Sequence, residues 1–117
     1  MDIRELQKRV IDFRDKRDWA QYHNPKDLAI SLSLEAAELL EIFQWKGQEK
    51  VKAIMTNSIG RKRVKEELGD VMIYALNMCH AFNFDPADVI LSKLKMNEEK
   101  YPVEKAKGSA KKYTDYE

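Results

Sequence analysis

The 117-residue sequence has one cysteine, two histidines, four glycines and three prolines. A single thiol, Cys79, excludes an intrachain disulfide framework and suits a reducing compartment, so a cytoplasmic location is expected. Cys79 lies in an apolar run, where burial and inertness are its ordinary fate. So few glycines and prolines, with no convincing alternating pattern, argue against a β fold. No run approaches the ~18 apolar residues of a membrane span, and Met1-Asp2-Ile3-Arg4-Glu5 has no apolar leader core. Charge of one sign is also missing: 21 Lys and Arg against 20 Asp and Glu leave a net +1, with no global field to favour nucleic acid or membrane as a partner. Neither a G-x-x-x-x-G-K-[ST] phosphate loop nor a G-x-S-x-G nucleophile elbow is present. The Glu-x-x-His pairs of di-iron bundles are absent too, because Asn77 stands three before His80 and Ala20 three before His23.

What remains reads as all-α, a bundle of four main helices plus a short one. Asp2 and Glu5 give a D-x-x-E start signal, and Ile3, Leu6, Val10 and Phe13 mark a stripe to about Arg17. Asp18 to Asn24 is expected as a loop. Asn24-Pro25 is an Ncap–N1 pair opening a second helix to about Trp45, with Gly47 suited to the position past its end. Gln48 to Met55 predicts a short helix, Thr56 to Gly60 a break, and Arg61 to Phe82 a long helix. Asp85-Pro86 opens the last helix, which ends near Tyr101-Pro102 because a residue before proline disfavours helix. Residues 1–102 thus form the helical domain, and 103–117 a polar, lysine-bearing tail that stays mobile unless something docks it.

Two acid pairs interrupt the apolar stripes. Glu35 and Glu38 share one side of the second helix with Leu28, Ser31, Leu32, Leu39 and Ile42; Glu67 and Asp70 share one side of the long helix with Val64, Val71, Tyr74 and Met78. A single i, i+3 acid pair is most often a solvated edge. Two pairs, each inside a core-facing stripe, would crowd four carboxylates if the helices pack side by side. Two such charges ~5–6 Å apart repel by about 3 kcal/mol at an effective dielectric of 20. Oxygen-only ligands of this kind suit Mg²⁺, with Mn²⁺ as a substitute, better than zinc or copper. No side-chain nucleophile set is present, so a metal-activated water is the nucleophile that the composition permits.

Aromatics flank the second helix: Trp19, Tyr22 and His23 at one end and Trp45 at the other. Tryptophans are usually core or interface anchors, and stacking on a base is the alternative. On the last helix Lys93, Asn97 and Lys100 stand at i, i+4 and i+7 beside Tyr101, either a solvated face or a set of phosphate donors. A metal site, stacking aromatics and lysines together suit a nucleoside polyphosphate.

Glu35-x-x-Glu38, a gap of 28 residues, then Glu67-x-x-Asp70 resembles the metal motif of the all-α MazG-like nucleoside triphosphate pyrophosphohydrolases. Arg17-Asp18-Trp19-x-Gln21-Tyr22-His23-x-Pro25, Phe43-Gln44-Trp45-Lys46, Tyr101-Pro102-Val103 and Gly108-Ser109-Ala110-x-Lys112-Tyr113-Thr114-Asp115 resemble the dCTP pyrophosphatase branch, so the likeness runs into the tail. The resemblance implies a homo-oligomer, dimer or tetramer, that uses Mg²⁺ to hydrolyse dCTP or a modified dCTP to the monophosphate and pyrophosphate. It implies Glu35, Glu38, Glu67 and Asp70 as metal ligands and catalytic residues. It places Trp19, Ala20, Gln21, Tyr22, His23, Trp45 and Tyr74 against the nucleotide, with Lys93, Asn97 and Tyr101 on its phosphate and sugar side. Val10 stands where vertebrate members of that branch carry a substrate-contacting histidine, which bears on base preference, and Gly69 stands where serine is common. The competing expectations are dUTP or another NTP on the same fold, and a non-catalytic helical oligomer that binds a protein partner.

Overall fold

The computed structural model describes residues 1–116, which hold six α-helices, two 3-10 turns and no strand. The helices are α1 (Ile3–Lys16), α2 (Pro25–Phe43), α3 (Gln48–Thr56), α4 (Ser58–Ala81), α5 (Pro86–Lys100) and α6 (Val103–Ala106). The 3-10 turns cover Ala20–Tyr22 and Tyr113–Asp115.

The starts are set by local chemistry. Asp2 and Glu5 form a full capping box, with the Glu5 amide donating to Asp2 Oδ1 (2.9 Å) and the Asp2 amide donating to Glu5 Oε2 (3.2 Å). Asn24 Oδ1 accepts the Asp27 amide (2.9 Å) ahead of Pro25, and Asp85 Oδ1 accepts the Ala87 amide (2.9 Å) around Pro86.

Three boundaries differ from the sequence expectation. Helix α2 stops at Phe43, and the left-handed position after it is taken by Trp45 (φ 67°) rather than by Gly47, which instead caps α3 in extended conformation. The break before α4 is the single residue Asn57, whose Oδ1 accepts both the Ile59 and Gly60 amides (2.9 and 3.0 Å). Gly60 is therefore helical, and its value is close approach: a Cβ there would meet Ile54 Cγ2 at 3.1 Å and Ile54 O at 3.2 Å where α3 crosses α4. The third difference is the tail, which turns once as α6 and folds back through Gly108 (φ +75°).

Helix α2 lies along α4, and α1 packs on α4 and α5. Among the described residues the buried ones are few: Ile11 of α1, Leu28 and Ile42 of α2, the polar Asn77 of α4 and Pro86 of α5. Asn77 Nδ2 donates to the Ile73 carbonyl (3.1 Å), and Gln7 of α1 reaches the Leu76 carbonyl (3.3 Å). Much apolar surface is left outside, including Leu34 and Leu40 of α2, Met72 and Ile73 of α4, and Ile90, Leu91 and Leu94 of α5. The radius of gyration is 17.7 Å, against ~13 Å for a compact domain of this length.

Candidate metal and nucleotide site

The acid stripes meet along the α2–α4 seam. Carboxylate oxygens of Glu35, Glu38 and Glu67 all lie within 4.8 Å of one another. Glu35 and Glu67 are half-buried and Glu38 is exposed. Asp70, one turn along α4 from Glu67, is exposed and stays outside that close group, yet its charge acts on both Glu35 and Glu67.

The electrostatics follow from crowding. Burial pushes the Glu35 carboxyl up to about 7, helped by the close approach of the Glu38 carboxyl and by the charges of Glu38, Asp70 and Glu67. Glu67 is raised as well, first by its own contact with Glu38, then by burial and the neighbouring acids. Glu38 is thus the bridge between the two helices. Glu35 Oε2 and Glu67 Oε2 are shut off from solvent with no hydrogen-bond donor. An unpaired buried carboxylate oxygen is costly, and a cation is what such a cluster lacks. All-oxygen donors, two of them orphaned, fit a hard divalent cation.

The nucleotide-side expectations divide. His23 ends the Ala20–Tyr22 turn and is half-buried, its ring 6.4 Å from that of Tyr74, one turn beyond Asp70 on α4. Its Nδ1 is buried without a partner. The fold therefore ties this turn to the acid helix. Gln21 is occupied locally, with Nε2 donating to the Asp18 carbonyl (2.9 Å), and Ala20 is exposed within the turn. Tyr22 is exposed, while Trp19 packs edge-on against Phe13 at 5.7 Å. Trp45 is 93% exposed in a backbone conformation that bulky residues rarely adopt. Lys93, Asn97 and Tyr101 lie on α5, which packs on α1 rather than along the acid seam. Lys93 borders a surface cavity with Phe84, Asp88 and Met96, and Tyr101 packs against Tyr113 and Tyr116. A single chain thus brings Glu35, Glu38 and Glu67 together and sets His23 beside Tyr74, while Trp45 stands exposed and the α5 residues lie on a helix packed on α1.

The packing of Tyr113 and Tyr116 on Tyr101 is not anticipated by the sequence reading. Their signal was two aromatics in an otherwise lysine-rich tail.

Comparison with known proteins bears on the family and the fold. A pyrophosphatase structure from Archaeoglobus fulgidus superposes with a TM-score of 0.76 at 41% identity, covering 86% of this chain and 92% of that one. The dCTP pyrophosphatase 1 of Bos taurus is 38% identical over 114 residues, which are 97% of this chain and 66% of that protein. The Homo sapiens dCTP pyrophosphatase 1 is 36% identical over 114 residues, 97% of this chain and 65% of that protein. The chain therefore spans just under two thirds of the length of these two relatives. Residues 30–116 match the MazG-like family, a stretch that takes in both acid pairs, the α2–α4 seam and the tail. The chain belongs to the MazG-like family.

Proposed function

We propose that the protein is a divalent-cation-dependent nucleoside triphosphate pyrophosphohydrolase that converts dCTP or a modified dCTP to the monophosphate and pyrophosphate. The observation that carries this reading is the cluster of three carboxylates with two orphaned oxygens on adjacent helices. The names of the relatives, a pyrophosphatase and dCTP pyrophosphatases, support the reaction and the base.

Glu35, Glu38, Glu67 and Asp70 would hold Mg²⁺ or Mn²⁺. When bound, such a cation offsets charge developing on phosphate oxygens and acidifies a coordinated water. The residues of the chain do the rest. Glu38 is exposed and reaches both neighbouring acids, so it is the group we assign to accept the proton of the attacking water. Glu35 and Glu67, half-buried, fix the position of the acid cluster. His23, its ring set beside that of Tyr74, is assigned to the base. Trp45 is assigned to stacking; its left-handed backbone stores strain of the kind kept at ligand sites.

A self-assembled enzyme is part of this reading. The chain exposes 9534 Å², against about 6,600 Å² for a compact monomer of its size. The excess is more than the ~1,000–2,500 Å² that each partner of an obligate homodimer buries. A surface cavity between α3 and α4 has an apolar side formed by Phe43, Ile54, Met55, Val64 and Leu68. A second copy packed on these surfaces could bring α5 residues Lys93, Asn97 and Tyr101 to a neighbouring acid seam. Among the described residues no helix is long and apolar enough to cross a membrane, and a cytoplasmic nucleotide substrate fits the single free Cys79.

The test is pyrophosphate release from a panel of dNTPs and NTPs with Mg²⁺, compared by kcat/KM. Preferential turnover of dCTP supports the reading. Activity that survives chelation, or is unchanged in Glu38→Gln and Glu67→Gln, sinks it.

A further inference from the structure

The aromatic cluster at the outer end of α5 has a defined construction. Pro102 and the single turn of α6 reverse the chain after α5, and Gly108 at φ +75° turns it again. The Lys111 amide donates to Ser109 Oγ (3.2 Å), and the 3-10 turn Tyr113–Asp115 follows. This path brings both Tyr113 and Tyr116 against Tyr101. Both rings meet Tyr101 edge-to-face with centroids 5.9 Å apart, at 86° and 83°. Lys100 Nζ lies 5.0 Å from the centre of the Tyr113 ring. The three tyrosines and Lys100 therefore interlock, although they come from two segments of the chain. The Tyr116 hydroxyl is buried with no partner, so the contact is one of rings, not of hydrogen bonds.

We propose that Tyr113 and Tyr116 are positioning residues: the C-terminal segment clasps Tyr101 and Lys100 and fixes the end of α5 that serves the phosphate and sugar side of a nucleotide. The clasp itself is a property of the fold. Its effect on substrate rests on the function proposed above. The match to the MazG-like family runs through this segment to residue 116, so the clasp lies within the family's domain. Tyr101 and Lys100 sit at the C-terminal end of α5, where the Tyr101 amide donates to the Asn97 carbonyl (2.8 Å) and the helix would otherwise fray. A frayed end leaves long side chains without one geometry, and ligand contacts then cost ordering entropy at each binding event. The clasp removes that cost before substrate arrives.

The experiment uses the full chain with Tyr113→Ala, Tyr116→Ala, Tyr113→Phe and Tyr116→Phe. Two readouts are taken: amide hydrogen exchange over residues 97–101 without nucleotide, and kcat and KM for the best substrate with Mg²⁺. Calorimetric titration with Mn²⁺ reports the acid seam separately. We expect exchange at the end of α5 to quicken by about tenfold in each alanine variant, since each loses one edge-to-face pair. KM should rise about tenfold with kcat within threefold, and Mn²⁺ affinity should be unchanged. The phenylalanine variants should behave as the parent, because the ring contacts survive and Tyr116→Phe deletes only an unpartnered hydroxyl. Unchanged exchange in the alanine variants overturns the clasp. Quickened exchange with an unaltered KM overturns its positioning role, and so does a joint fall of kcat and Mn²⁺ affinity, which marks general damage. If the parent chain hydrolyses no nucleotide, the proposed function and the substrate role fail together, while hydrogen exchange still decides whether the clasp exists.

Discussion

The α2–α4 seam and the outer end of α5 both gather side chains that are distant in sequence, with opposite energetic results. At the end of α5 three tyrosine rings meet edge-to-face, and each contact is favourable as it stands. At the seam three carboxylates come within 4.8 Å, two of their oxygens are orphaned, and two of the acids have raised pKa values. The first cluster is complete within one chain. The second has no ion-pair partner among the described residues. Packing places both clusters, but only the seam is placed against its own electrostatics, and that conflict is the ground on which we propose it as the functional one.

The sharpest way to break this comparison is to relieve the conflict. Glu67→Gln and Glu38→Gln should each lower kcat by about 10²–10⁴-fold, the usual worth of a positioned proton-transfer or charge-stabilising group. The same substitutions should raise the melting temperature of the metal-free protein, because they remove a repelling charge. Activity assays and thermal scans in a chelator measure both. A seam that loses stability on neutralisation would be an ordinary structural cluster.

Trp45 gives the next largest effect. It is 93% exposed at φ 67°, so it contributes little packing at a backbone position that glycine would occupy without strain. Trp45→Gly should leave the melting temperature unchanged or raise it. KM for the nucleotide should rise by about 10–100-fold, as expected when a base loses a stacking partner worth about 1–3 kcal/mol. Equal KM values would return Trp45 to the role of an oligomer contact.

These two regions also differ in how legible they were in the sequence. One acid of each pair could be placed because helical periodicity is a local property: Leu28, Leu39 and Ile42 fixed the buried side of α2, and Glu35 lay on it, whereas Glu38 and Asp70 are exposed. The same geometry put Val64, Glu67 and Val71 on the seam side of α4, and all three are at least half-buried. Helix starts at Asp2, Asn24 and Asp85 were legible for the same local reason. The tyrosine clasp was not, because it depends on two chain reversals and on contacts between Tyr101 and residues twelve and fifteen positions away. The end of α2 was misread because the left-handed residue is Trp45, an identity that gives no local cue for that conformation, while Gly47 did.

A pH titration separates the seam from the clasp more gently. Glu35 is raised from its ordinary value of 4.5 to about 7 by burial and its acid neighbours. Between those values the folded chain binds more protons than the unfolded chain, so metal-free stability should fall as pH rises through that window. A saturating divalent cation should reverse the trend, because protons and cation compete for the same oxygens; its apparent affinity should weaken as pH drops below about 7. Denaturant unfolding at pH 5, 6, 7 and 8, with chelator or with Mg²⁺, measures this. A stability that is flat with pH in both conditions would remove the conflict attributed to the seam.

The smallest effect expected is a pair of glycine substitutions within α4. Each helix glycine replaced by alanine gains up to about 1 kcal/mol of helix propensity, so the sign of the outcome is set by what the new methyl meets. At Gly69, between Glu67 and Asp70, a Cβ meets nothing within 4 Å. Gly69→Ala should therefore stabilise by about 0.5–1 kcal/mol and leave the carboxylates where they are. At Gly60 the methyl would press on backbone atoms of Ile54, the carbonyl oxygen at 3.2 Å and Cα at 3.3 Å, as well as on Cγ2 at 3.1 Å. Backbone cannot rotate away, so α3 must shift off α4 and Gly60→Ala should destabilise by about 1–2 kcal/mol, seen as a lower melting temperature. If both substitutions stabilise, α3 is free to move and the apolar cavity beside it is adjustable; if both destabilise, the acid seam is covered at Gly69 by something a single chain does not supply.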